Sequence, residues 1–237
     1  MRLKHPKVSV VVSTYKRGDM LKRFLESVME QTFTDYEVIV VDDAGGEAKG
    51  AMEDIVPRFK EKGIDCYLIV MGDNSGYQSV PKNIGIAHSR GSYIAQADDD
   101  DVWYSHHLES LVSILEDGGC DIAFGSWDFG GDRDGETWEY IPFNPITAHL
   151  IAAGPQTNFI SCHTVWSKGA VLGHLGPKPW NEEVRRFGDW DLYRRCLYAG
   201  LRFKGTDVPT YKYMWHGENL QVTRPPQEVD VRAVPLS

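Results

Sequence analysis

Four consecutive aspartates, Asp98, Asp99, Asp100 and Asp101, follow the apolar stretch 92–97 and precede Val102 and Trp103. Like charges this close repel, so the run needs solvent or a cation to be tolerated, and its apolar flanks set it against a core. In an extended segment, side chains at i and i+2 share a face, which pairs Asp98 with Asp100. Two hard carboxylates so placed suit Mg2+ or Mn2+, ions that keep open positions for phosphate oxygens. Two more polar clusters end apolar runs: Ser13-Thr14-Tyr15 after 8–12, and Asp42-Asp43 after 37–41.

The elements that must position these groups alternate. Residues 8–12, 37–41, 66–70 and 92–97 are apolar runs of strand length, which predicts buried strands. Met20, Leu21, Phe24, Leu25 and Val28 recur at helical spacing, with Asp19 available as the cap. Further helices are expected over 47–62 and 81–89, and a loop over 72–76. Strand–helix alternation implies an α/β fold with a largely parallel sheet and helices on both faces. In such sheets the ligand lies beyond the carboxyl ends of the strands, where all three polar clusters would meet. The second half is less regular: a helix over 105–116, a strand over 121–127, a hairpin turn at 130–135, an irregular stretch at 142–155, and a helix over 189–198 closed by Gly200.

With 237 residues and no clear internal boundary, the chain reads as one domain, elaborated after about residue 120. A formal charge of -9 argues against nucleic acid or an anionic membrane as a partner. There is no apolar run near the roughly 20 residues of a transmembrane segment, and the first residues lack the pattern of a secretory leader. Cys66, Cys120, Cys162 and Cys196 are too scattered for a zinc site or a disulfide framework. Reduced thiols and a cytoplasmic location are expected. His106 and His107 read as lying at the surface or just behind a site. The late tryptophans read as core, with Trp190 the one to consider for stacking on an acceptor.

VSVVVSTYKR, SVMEQTFTDYEVIVVDDAG and KNIGIAHSRGSYIAQADDDDVW occur in that order. Through them the chain resembles the family 2 glycosyltransferases over about residues 7–220. The resemblance implies the GT-A fold of nucleotide-diphospho-sugar transferases, as a single domain over 1–237. About 7–120 would bind the nucleotide sugar and about 121–237 the acceptor. By position, Ser13 (where proline is commoner), Thr14 and Tyr15 would hold the base and ribose, with Asp42 and Asp43 also on the nucleotide. Lys82 and Asn83 match a basic-residue-then-asparagine pair near the nucleotide or donor sugar, although helix capping also accounts for them. Asp98 and Asp100 match the DxD motif, Asp99 lies between them, and Asp101 is an additional acid. A general base is implied within GDWDLYRR. Asp189 is favoured and Asp191 stays open, because Gly188 replaces the usual glutamate. His216, in YKYMWHGENL, would be a further ligand to Mn2+ or Mg2+, with Gly217 lending the loop flexibility.

The implied activity is metal-dependent, inverting transfer of a sugar from a nucleotide diphosphate, UDP being the family's commonest, to a hydroxyl. A glycan, a lipid-linked glycan or another hydroxyl acceptor would serve; nucleic acid enters only as a modified-base acceptor. Two other classes stay open: a nucleotide-sugar-binding domain without turnover, and a nucleotidyltransferase. The second of these lacks its usual Gly-rich basic loop after the first strand.

Overall fold

The computed structural model describes residues 5–136, 147–148, 151–152, 154 and 160–216. Three apolar runs become parallel strands: β1 (Val8–Thr14), β2 (Tyr36–Asp42) and β3 (Cys66–Val70). β4 (Tyr93–Asp98) joins β1 on its other side, also parallel. The sheet then continues through β5 (Val102–Trp103), β6 (Ile122–Gly131), β7 (Thr164–Ser167) and β8 (Phe203–Trp215), giving the order β3-β2-β1-β4-β7-β6-β8-β5. β7 is antiparallel to both β4 and β6, β8 is parallel to β6, and β5 is antiparallel to β8. The sheet is therefore parallel across its first four strands and mixed beyond them.

Side chains alternate between two cores, as a strand requires. Val8, Val10 and Val12 face one side, with Leu21, Phe24 and Val28 of α1 (Gly18–Met29) and Leu108 and Leu111 of α5 (His107–Glu116). Val11, Ile39 and Val41 face the other. There they meet Ile86 of α4 (Ser79–His88), Val171 of α6 (Lys168–Leu175) and Leu192 of α7 (Gly188–Tyr198). Gly85 lets α4 lie close on β1, since a Cβ there would come within 2.5 Å of Val11 Cγ1.

Some expectations change. The helix expected over 47–62 is two, α2 (Ala48–Glu53) and α3 (Ile55–Glu61). Pro57 has no N–H to bond back across the join. His107 is not at the surface: it is fully buried and stacks on Trp103 at 4.0 Å between centroids, and burial lowers its pKa well below the usual value. The turn at 130–135 forms, with the Phe129 N–H donating to the Glu136 carbonyl at 2.8 Å. Gly200 ends α7 at φ 79°, a left-handed conformation that suits glycine. Most of 142–155, together with Trp138 and Gly217, lies outside the described residues.

Candidate active site

The polar strand ends meet as expected. A cavity of about 570 Å³ is lined by Ser13, Thr14 and Tyr15 at the end of β1 and by Asp43 just past β2. The whole acidic run after β4 also lines it, and so does Asp189 in the first turn of α7. Asp42 is buried and works on the backbone instead: its oxygens accept from the N–H groups of Gly45 and Gly46 at 2.7 and 3.0 Å. Asp43 ties down the loop at 72–76, accepting from the Ser75 N–H at 2.8 Å and the Ser75 hydroxyl at 2.9 Å.

Within the acidic run, each carboxylate has a different fate. Asp98 Oδ1 accepts from Lys82 Nζ at 2.7 Å. Lys82 is fully buried, touches Cys162 Sγ at 2.6 Å, and sits 4.8 Å from the centre of the Trp180 ring. Burial works against ionisation of Asp98, but the charge of Lys82 outweighs it and holds the pKa at about 2. Arg17 bridges the next two carboxylates, at 3.1 Å from Asp99 and 2.8 Å from Asp100. Burial, helped by the charge of Asp100, pushes Asp99 up to about 6. Asp101 is committed to structure. Its Oδ2 accepts from His163 Nε2 at 2.6 Å and its Oδ1 from the Met214 N–H at 2.7 Å. Trp103 Nε1 donates to His163 Nδ1 at 2.8 Å, which leaves Nε2 as the nitrogen that donates to Asp101.

Asp189 and Asp191 part company on α7. Asp191 is buried and ion-paired with Arg195 at 2.8 Å, away from the cavity. Asp189 lines the cavity, and burial raises its pKa to about 6; the Trp190 N–H opposes the rise and the charge of Asp98 adds to it. Asn83 is turned from the cavity, holding Trp180 through both its amide atoms, at 2.8 Å to the carbonyl and 3.0 Å to the N–H. Trp190 donates to the Ile151 carbonyl at 2.6 Å and does not line the cavity, whereas Trp215 does. Arg17, Cys162 and His163 hold or line the site without having been singled out from sequence. Arg17 stood inside a quoted motif; His163 lies 62 positions from Asp101 and carried no local signal.

The residues present fit a divalent cation. Asp98 and Asp100 offer oxygens at one strand end, and His216 Nε2 stands 3.4 Å from Asp100 Oδ2. Asp99 Oδ2 is buried with no hydrogen-bond partner among the described residues. Two permanent cations, Lys82 and Arg17, contact three of the four adjacent carboxylates, so negative charge remains. Among the described residues no three acids, histidines or cysteines already stand together as a closed metal shell; Lys82 and Arg17 hold the carboxylates as they are.

The model for glycosyl transferase family 2 matches residues 9–172, spanning both the strand ends and the acidic run. The chain belongs to this family. Among its relatives, the uncharacterized glycosyltransferase YibD of Escherichia coli is 29% identical over 92% of this chain and 63% of its own length. The poly(ribitol-phosphate) beta-N-acetylglucosaminyltransferase TarP of Staphylococcus aureus is 32% identical over 53% of this chain and 38% of its own length. This family 2 chain thus spans less than two thirds of either relative. In fold it is similar to the S. aureus TarS fragment solved with UDP-GlcNAc, with a TM-score of 0.70 and 18% identity over 98% of this chain and 62% of that one. It is also similar to a mannosyltransferase of Pyrobaculum calidifontis solved with GDP-Man and Mn2+, with a TM-score of 0.66 and 19% identity over 91% of this chain and 59% of that one. The GT-A fold is thereby established for the chain. No helix among the described residues is long and apolar enough to cross a membrane.

Proposed function

We infer that the chain transfers a sugar, with inversion, from a nucleotide diphosphate to an acceptor hydroxyl, and that UDP is the nucleotide. One observation carries this reading: Asp98, held ionised by Lys82, and Asp189, a carboxylate tuned to about 6, line the same cavity. Perturbed acids of different character in one cleft mark acid–base chemistry. Thr14, Tyr15 and Asp43 form the nucleotide side, within the half up to about residue 120. The half beyond it, with α7, faces the acceptor.

Asp98, Asp100 and His216 would hold Mn2+ or Mg2+, which when bound supplies Lewis-acid stabilisation of the departing diphosphate. Lys82 keeps Asp98 charged and oriented for that role. Asp189 takes the acceptor hydroxyl proton onto its carboxylate, and its raised pKa makes it a stronger base than an ordinary aspartate. Asp191, paired to Arg195, keeps α7 in place. Free thiols at all four cysteines suit a reducing cytoplasm. The acceptor is a hydroxyl of a glycan or lipid-linked glycan.

The test is calorimetric titration of UDP with and without Mn2+, followed by measurement of UDP release from UDP-sugars. Metal-dependent UDP binding with turnover supports the reading. Binding without turnover on any acceptor would favour the nucleotide-sugar-binding domain, and absence of UDP binding removes the donor assignment.

A further inference from the structure

Ser79 opens α4 and lines the cavity, yet it is only 1% exposed and its hydroxyl has no hydrogen-bond partner among the described residues. An orphaned buried hydroxyl costs stability, so its retention asks for a partner that arrives later. Its surroundings narrow the choice. One turn on, Lys82 holds Asp98 at the diphosphate side. Across from it stands Gly188, where an added Cβ would lie 3.3 Å from Ser79 Oγ and 3.0 Å from the Trp180 ring. Asp189, the base, follows directly. Trp180 cannot easily yield, because its indole N–H is bonded to Gln96 at 2.6 Å and its backbone to Asn83. Ser79 and the bare backbone of Gly188 thus stand together on the cavity lining, beside Asp189 and one turn from Lys82.

We propose that Ser79 and Gly188 form the wall of the donor-sugar subsite, Ser79 hydrogen-bonding a ring hydroxyl of the transferred sugar and the bare Cα of Gly188 leaving Ser79 and Trp180 in place beside it. The inference rests on the donor reading above. It also accounts for glycine beside the base, since any larger residue would press on Trp180 and Ser79 together.

The experiment compares UDP with UDP-glucose, UDP-galactose and UDP-N-acetylglucosamine by calorimetry in Mn2+, on the full chain, alongside melting temperatures without ligand. In the unaltered protein at least one sugar should bind more tightly than UDP. Ser79→Ala should reduce that gain by about tenfold, the worth of one ordinary hydrogen bond, and leave UDP affinity unchanged. The ligand-free melting temperature of Ser79→Ala should stay level or rise, because an unsatisfied group has been removed. Gly188→Ala should also lose the sugar-specific gain while binding UDP. A gain that survives Ser79→Ala, a panel in which no sugar binds better than UDP, or a lowered melting temperature with the gain intact would overturn the subsite. If UDP itself fails to bind, the donor reading falls first and the subsite with it.

Discussion

Asp189 and Asp191 are two positions apart, yet their surroundings assign them opposite work. Asp191 neutralises Arg195 within its own helix, while Asp189 is left in the cavity with its charge disfavoured. Asp189→Asn should cut transfer by roughly 10²–10⁴-fold, the usual contribution of a general base, with UDP affinity kept. Asp191→Asn should cost stability and leave most of the transfer. The reverse result in initial rates would move the base to Asp191. The pKa sets a second expectation. Burial raises Asp189 from the ordinary 3.8 to about 6, so the native state binds this proton more tightly than the unfolded chain does. Its contribution to stability is present below the ordinary value and is lost as pH rises through about 6. Activity runs the other way, because the base works ionised: kcat/KM should fall about tenfold per unit below pH 6. A flat acid limb would show that Asp189 is not the base. Much of this was legible, since Asp98, Asp100 and Asp189 reached one cavity as their motifs implied. Asp42, Asn83 and Asp101 show the limit: a polar residue in a motif gives no sign of whether it faces ligand or backbone.

Among the elements, β1, β2, β3 and β4 could be read directly because buried parallel strands are continuous apolar runs. β7 is only Thr164–Ser167, too short for any periodicity, and β8 pairs with strands more than seventy positions away. These later strands still have a task at the site. Asp101 ties the end of β4 to the Met214 N–H of β8, two residues before His216, and to His163 just before β7. Asp101→Asn would set an amide against a pair of donors, where a carboxylate had accepted from both. Leaving one of these buried donors without an acceptor costs about 1–3 kcal/mol. More tellingly, the Mn2+ concentration for half-maximal activity should rise, because the strand end that carries His216 is no longer fixed. Val171→Ala, a cavity in the opposite core, serves as the comparison. A similar loss of melting temperature with unchanged Mn2+ dependence is expected there. If both variants shift the metal dependence equally, Asp101 has no positioning role.

At the scale of the whole molecule, the charge balance of the site couples folding to ligand binding. Repulsion within the acidic run predicts that removing either Asp98 or Asp100 relieves strain in the ligand-free protein. The structure makes the two unequal. Asp98 is the carboxylate partner of Lys82, whose side chain is 1% exposed, whereas Asp100 pairs with an Arg17 that is one third exposed. Asp98→Ala leaves a buried ammonium with only a thiol and an indole face, and it should lower stability by up to about 3 kcal/mol, the low end for breaking a buried pair. Asp100→Ala removes a repulsive neighbour of Asp99 and loses a partly exposed ion pair worth about 0–1 kcal/mol, so its stability should hardly change. Both variants should lose the extra melting temperature that Mn2+ and UDP together confer on the native protein, because a ligand stabilises only through the state that binds it. Thermal unfolding of the two variants, each with and without Mn2+ and UDP, separates these effects. Equal ligand-free stabilities would mean that Lys82 does not depend on Asp98. A ligand shift surviving in either variant would withdraw that residue from the metal site.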